Sequence, residues 1–227
     1  MLRLADVHFD YPRAAADDRG FTLQIAGLRI AAGESVAMTG ASGIGKTTVL
    51  RLAAGILEPT RGTVELAGVD LRTLGESGRR RHRLEQVGFV FQDFRLLEHL
   101  NVIQNVLLPF RLGGLPLDRA ARERAVELLE RLGIAPLAGR DVRKLSRGEQ
   151  QRAAICRALV TRPSVILADE PTGNLDPANK QQILEALLDA ARDRSASVLA
   201  VTHDHDLLDS FDRVVDLGTA GLREVDR

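Results

Sequence analysis

One cysteine, Cys156, stands in a chain of 227 residues, so no internal disulfide can form and a reducing compartment fits. Its neighbours Ala153, Ala154, Ile155 and Ala158 mark a buried helix position, which makes it a core thiol rather than a reactive one. Neither charge is in excess: Lys plus Arg and Asp plus Glu number 31 each. That balance argues against a dedicated nucleic-acid binder, whose affinity comes largely from neutralising phosphates. No stretch approaches the roughly 20 apolar residues a membrane helix needs. The opening MLRLADVHFD lacks the basic and apolar regions of a signal peptide. The expectation is a protein soluble by itself that acts at a membrane only by docking. Repeats and low-complexity tracts are absent as well. The apolar share of 44% is enough for one large domain, or a core domain with a small attached subdomain.

Short apolar runs alternate with longer helical patterns, the signature of a sheet wrapped by helices. Ser35 to Thr39, Val87 to Phe91, Val165 to Ala168 and Val198 to Val201 read as inner strands of a largely parallel sheet. Leu2 to Phe9 and Phe21 to Ile30 alternate apolar and polar residues and predict an antiparallel β patch, joined by the polar loop Pro12 to Gly20. Asn101 to Leu108 and Leu117 to Leu132 carry the helical period, the latter through Ala121, Ala125, Leu128, Leu129 and Leu132. Residues 93–145 therefore read as a small helical subdomain inserted into a core formed by 1–92 and 146–227. The basic run Arg79 to Arg83 falls on a short helix and is assigned a solvated face and no function.

Gly40-Ala41-Ser42-Gly43-Ile44-Gly45-Lys46-Thr47 satisfies the P-loop pattern between a strand and a helix. Glycines let the loop turn tightly, so that successive backbone N–H groups point at phosphate oxygens. The helix starting near Lys46 adds the positive end of its dipole. Lys46 supplies a charge for the β- and γ-phosphates of ATP, the Thr47 hydroxyl is placed to hold Mg²⁺, and Thr48 completes the nucleotide set. Ile44 is bulky for this loop but still offers its N–H. Val165 to Ala168 lead into Asp169 and Glu170, two carboxylates at the end of an inner strand, where open α/β sheets place ligands. Asp169 would hold Mg²⁺ through water, and Glu170 would orient or deprotonate the attacking water. The fold class is α/β: a P-loop NTPase core with a mostly parallel sheet, an N-terminal antiparallel β patch and an inserted helical subdomain.

A P-loop alone leaves kinases, GTPases and many ATPases open. The stretch Leu145-Ser146-Arg147-Gly148-Glu149-Gln150-Gln151-Arg152, upstream of Asp169, resembles the signature motif of ABC ATPases. Arg147 and Glu149 depart from the commonest form, Leu-Ser-Gly-Gly-Gln, while Gly148 is kept. Essentially the whole chain follows the family order. Tyr11 looks like the adenine-stacking aromatic, although by itself a Tyr-Pro pair ending a strand is more often a turn packing residue. Gln92 looks like the Q-loop glutamine, able to reach the metal or the attacking water. Asn174-Leu175-Asp176 resembles the D-loop, and His203 the histidine that touches the γ-phosphate. The resemblance implies ATP hydrolysis by Glu170 with His203 and Gln92, a metal held by Thr47, Gln92 and Asp169, and a homodimer sandwiching two ATP molecules. In that sandwich Ser146, Gly148 and Glu149 would act in trans on the nucleotide of the other subunit.

Residues 168–176 and 146–152, with Asn101 to Val106, look most like the bacterial group that serves lipoprotein release, macrolide or peptide export, heterocyst glycolipid export and cell division. That likeness implies integral-membrane permease partners of the MacB or FtsX kind, no nucleic acid, and a peripheral place on the inner face of the cell membrane. A coupling helix of the partner would dock near the insert at Phe94, Leu96, Leu97 and Leu100, with core packing of these residues an equal alternative. Two functions stay open: export or extraction of a lipid, lipoprotein, peptide or drug, and a mechanical motor regulating cell division or cell-wall hydrolases. Cassettes of translation and DNA repair are disfavoured, since 227 residues leave no room for a second cassette or a long coiled coil.

Overall fold

The computed structural model describes residues 1–11, 21–219 and 221–225. In chain order the first half runs β1 (Leu2–Asp10), β2 (Thr22–Ile30), β3 (Ser35–Thr39), α1 (Lys46–Ala53), β4 (Arg61–Leu66), β5 (Val69–Asp70), α2 (Glu76–Gln86) and β6 (Val87–Phe91). The second half runs α3 (Val102–Val106), α4 (Leu108–Gly113), α5 (Arg119–Arg131), α6 (Arg147–Leu159), β7 (Val165–Asp169), α7 (Pro177–Arg192), β8 (Ser197–Val201), β9 (Arg213–Gly218) and β10 (Gly221–Glu224).

Two sheets form. The larger has the order β10-β9-β3-β8-β7-β6, parallel from β9 to β6, with β10 antiparallel on the edge. The smaller is antiparallel, in the order β2-β1-β4-β5. The period of two explains why the parallel strands lie inside. Val165 and Leu167, with Leu199 and Val201, face a core shared with the antiparallel sheet and α1. Ile166 and Ala168, with Val198 and Ala200, face the opposite core, where helices supply Val106, Leu128, Ile155 and Leu187. Both faces are covered, so the strands read as continuous apolar runs.

The four expected inner strands and the β1–β2 patch are observed, while the loop Pro12 to Gly20 lies outside the described residues. Three features differ from the expectation. The run from Asn101 to Leu108 is split: Asn101 and Gln104 form a capping box on α3, the chain turns at Leu107, and α4 starts anew with Pro109 in its first turn. Proline cannot donate the N–H that a continued helix needs at that point. The basic run is helical but not simply a solvated face. Arg83 donates to Ala54 O and Gly55 O, and Arg79 donates to Leu74 O and pairs with Glu58. Strands β4, β5, β9 and β10 had no counterpart in the expectation. Cys156 is fully buried in α6, and burial pushes its thiol well above the ordinary value.

Candidate functional site

Register brings the strand ends together. Phe91 pairs with Asp169, and Asp169 with Val201, while Met38 lies beside Val201. Everything just beyond these residues therefore shares one edge of the sheet, the edge where parallel α/β folds bind ligands.

The loop after β3 needs its glycines for space as well as for backbone freedom. At Gly40 (φ 140°) a Cβ would fall 2.5 Å from Leu217 O, and at Gly45 (φ 110°) one would fall 2.6 Å from the Phe21 ring. Gly45 ends the loop as the N-cap of α1. Lys46 is only 7% exposed and donates to Gly40 O at 2.7 Å and Ala41 O at 2.9 Å, so its ammonium lies across the mouth of the loop. Burial pushes that ammonium below the ordinary lysine value, while Glu170, Asp169 and Asp216 pull it back.

Thr47 Oγ1 donates to Asp169 Oδ2 at 3.0 Å. Two oxygen donors on separate elements, aimed at each other beside the loop, are the hard ligand set that Mg²⁺ prefers. Glu170 follows β7 with φ 48°, a left-handed backbone that costs a non-glycine residue free energy, and its N–H donates to Val201 O at 3.0 Å. That turn carries its carboxylate to His203, whose Nε2 lies 3.0 Å from Glu170 Oε1. Gln92 and Glu170 both approach Gly173: a Cβ there would lie 3.2 Å from Gln92 Nε2 and from Glu170 Oε2. Asn174 Nδ2 donates to Gln92 O at 2.7 Å and ties the segment after β7 to the end of β6.

A cleft of about 370 Å³ opens on this cluster, lined by Tyr11, Phe21, Lys46, Thr47, Asp169, Glu170 and neighbouring loop residues. Tyr11 belongs to it: its hydroxyl lies 3.4 Å from Thr48 Oγ1, and its ring meets Phe9 edge-on at 4.8 Å. Ser42, Gly43 and His203 also line the cleft.

Ser146, Gly148 and Glu149 are not among the residues lining that cleft. They form the start of α6, where Ser146 is the N-cap of a capping box. Ser146 N donates to Glu149 Oε2 at 2.7 Å, and Glu149 N to Ser146 Oγ at 3.3 Å. Gly148 is not crowded, since an added Cβ would meet only Ile183 Cδ1 at 3.7 Å. Among the described residues no close contact demands a glycine there.

Two supporting residues escaped the sequence reading. Gln151 is fully buried and donates to Pro171 O, joining α6 to the segment after Glu170. Lys180 bonds Asp204 at 2.7 Å, bracing the residue next to His203 from α7. Gln151 lies inside the signature stretch, but its spacing does not distinguish it from Gln150. Lys180 and Asp204 are 24 residues apart, and only the fold brings them together.

A phosphate loop opening a helix, with carboxylates and a histidine at the adjoining ends of parallel strands, defines a P-loop ATPase. Residues 23–173 match the family described as ABC transporter. The chain is 45% identical over 203 residues to the lipoprotein-releasing system ATP-binding protein LolD of Paramagnetospirillum magneticum, covering 89% of each chain. It is 42% identical over 198 residues to the LolD of Roseobacter denitrificans, covering 87% of each. The solved dimeric post-hydrolysis state of an ATP-binding cassette with ADP and Pi superposes with a TM-score of 0.87 at 31% identity, over 100% of this chain and 98% of that one. The chain belongs to the ABC transporter ATP-binding family, and it is an ATPase of that family. Among the described residues no helix is long and apolar enough to cross a membrane.

Proposed function

We propose that this ATPase works as an ATP-sandwiched homodimer and powers integral-membrane subunits that extract or export a lipid, lipoprotein, peptide or drug. The observation that carries the chemistry is the 3.0 Å contact of His203 with Glu170, on the edge that holds Lys46, Thr47 and Asp169. Glu170 accepts the proton of the attacking water as its oxygen bonds to the γ-phosphorus and the bond to the β-bridging oxygen breaks. His203 holds Glu170 and faces the γ-phosphate, while Gln92 orients the water from the far side of Gly173. The loop N–H groups of residues 40–48 and the Lys46 ammonium neutralise the phosphates, and Tyr11 stacks on the base. Mg²⁺, held by Thr47 and Asp169 with Gln92 in reach, would supply charge neutralisation between the β- and γ-phosphates.

Dimerisation puts the start of α6 on the other subunit's nucleotide, with Ser146 and Gly148 contacting its γ-phosphate. The dimeric ABC cassette among the structural neighbours supports this arrangement, as does the lack of any close contact at Gly148 that would by itself require a glycine among the described residues. Glu149, whose carboxylate is turned back onto Ser146 N, acts by holding Ser146. Residues 93–145 form the helical subdomain that shifts against the core of 1–92 and 146–227.

The membrane subunit docks through a cytoplasmic helix in a groove of about 310 Å³ whose lining includes Ile56, Phe89, Phe91 and Leu112. Phe94, one of the residues expected to dock, is 8% exposed and belongs to the core. The chain is then cytoplasmic and peripheral on the inner face of the membrane. Relatives named for lipoprotein release favour extraction over a purely mechanical role in cell division. Affinity capture from native membranes in mild detergent tests this choice. Recovery of few-span membrane subunits together with a lipid or lipoprotein cargo supports it. Recovery of a cell-wall hydrolase complex without cargo would sink it in favour of the mechanical motor.

A further inference from the structure

Glu170 is strained, and its neighbours are pinned. Its φ of 48° lies in the left-handed region, where a residue other than glycine stays only if its surroundings hold it. Glu170 N donates to Val201 O at 3.0 Å, and Gly173 N donates to Glu170 O at 3.0 Å. The next residue, Pro171, has a φ fixed by its ring, so the direction of its carbonyl and the turn at Glu170 are linked. Gln151 Nε2 donates to that carbonyl from α6. The turn that carries the base is therefore tied on one side to β8 and on the other to α6.

Stability gives little reason for an amide at this position. Gln151 is fully buried, and the α6 residues Ala153, Ala154, Ile155 and Cys156 that follow it are buried as well. Among the described residues its Oε1 has no hydrogen-bond partner. The bond made by Nε2 is offset by taking Oε1 out of water, a cost that an apolar side chain would not carry. The neighbouring Gln150 differs. It is only partly buried and donates to Val142 O at 3.1 Å and Leu145 O at 3.3 Å, just upstream of its own helix. Gln151 instead reaches the residue that follows Glu170. A buried amide that is half satisfied and aimed at a strained functional turn calls for a role beyond filling the core.

We propose that Gln151 is a positioning residue for hydrolysis: its amide holds the Pro171 carbonyl and through it keeps the Glu170 carboxylate in place beside His203. Being fully buried and outside the cleft lining, it acts through Glu170 rather than on the nucleotide. Gln151 stands on the helix that begins at Ser146, so the base is set by the same element whose first turn faces the other subunit's nucleotide in the proposed dimer. The inference rests on Glu170 as the base and adds the residue that holds it there. A misplacement of about 1 Å at a reacting group can cost about a hundredfold in rate.

The test is ATP turnover of the full chain per folded molecule, with the folded fraction taken from urea denaturation. Gln151→Leu should lower kcat by about tenfold or more and leave KM for ATP within about twofold. Added to Glu170→Gln, it should lower the residual rate by less than about twofold, because the base it positions is already gone. Gln151→Glu keeps the shape and supplies a chemical signature. Burial raises the pKa of the introduced carboxyl, which donates to Pro171 O while protonated and cannot once ionised. The ratio of its turnover to that of the natural chain should therefore fall about tenfold or more between about pH 6 and 9. If Gln151→Leu does not fold, that pH profile decides alone. Turnover equal to the natural chain's in both variants at every pH, with Glu170→Gln inactive, overturns the positioning role and leaves the base standing. A loss in Gln151→Glu that does not change with pH, or a loss in Gln151→Leu that adds in full to that of Glu170→Gln, overturns it as well. Normal turnover by Glu170→Gln overturns both.

Discussion

His203 Nε2 and Glu170 Oε1 are 3.0 Å apart, although their residues stand at the ends of two different strands. Two features of the backbone make the contact. Val201 is paired with Asp169 across β8 and β7, and Glu170 takes a left-handed conformation that turns its side chain toward the next strand. Such a residue persists only where its surroundings hold it, and the bond from Glu170 N to Val201 O does so.

Glu170→Gln should lower turnover by about a hundredfold or more, the contribution of a positioned general base, while leaving ATP affinity nearly intact. In ATP and Mg²⁺ the variant should accumulate as a dimer on size-exclusion chromatography. Since His203 acts through the same contact, adding His203→Ala to Glu170→Gln should cost little more than Glu170→Gln alone. Steady-state hydrolysis of the two single variants and the double variant checks this. A double variant far slower than either single one would separate the two roles.

Much of this site was legible because its chemistry is concentrated in short runs. Gly40 to Thr47, Asp169-Glu170 and His203 each lie on or next to an apolar strand, and period-two burial places those strands correctly. Glu149 was legible as a residue but not as a contact. Its position four residues from Leu145 says nothing about whether the carboxylate turns out to a partner or back to Ser146 N, as it does. Strands β4, β5, β9 and β10, of which β5 and β10 are edges, were missed for a related reason. Arg61–Leu66 and Arg213–Gly218 mix charges and glycine with apolar residues, so the pattern is readable only once their neighbours are known. Phe94 illustrates the limit for surfaces, since an apolar residue in a loop reads the same whether it is buried or docks a partner.

Gly88 sits on β6 where α6 crosses it. A Cβ there would lie 2.3 Å from Ala158 O and 3.1 Å from Pro163 Cγ, and the nearer atom is backbone. Gly88→Ala should therefore push α6 off the sheet and cost about 3 kcal/mol. Urea denaturation gives the number. The same substitution at Gly114, where nothing lies within 4 Å, lacks the clash but retains strain from φ +65°, and should cost less. Equal losses at both positions would count against close α6–β6 packing.

Lys180 holds the Asp204 carboxyl below the ordinary carboxylate value, chiefly through their 2.7 Å hydrogen bond. A carboxyl group with a lower pKa folded than unfolded stabilises the protein above the unfolded value, and that stabilisation disappears as the pH falls through the folded one. Both side chains keep partial exposure, 27% and 22%, so the pair is worth about 0.5 kcal/mol after screening. Lys180→Met should be less stable than the natural chain at neutral pH, and the gap should narrow on acidification below about pH 4. Denaturation curves on both sides of that value decide it. A gap that persists in acid would mean that Lys180 acts by packing alone.

Ser146 and Glu149 share one capping box, and their variants should part company in function. Glu149→Gln keeps an acceptor for Ser146 N and should be nearly neutral in stability, whereas Glu149→Ala should cost about 1 kcal/mol through the first turn of α6. Ser146→Arg loses the cap as well, but its main effect is steric and falls on the other subunit. It should bind ATP as a monomer with affinity close to that of the natural chain, yet fail to dimerise even when combined with Glu170→Gln. Light scattering with ATP compares the single and double variants. Dimers formed by the Ser146→Arg, Glu170→Gln protein would place the start of α6 away from the partner's nucleotide. With Glu149→Ala the dimer should still form, only more weakly, because the serine that reaches across is loosened rather than blocked.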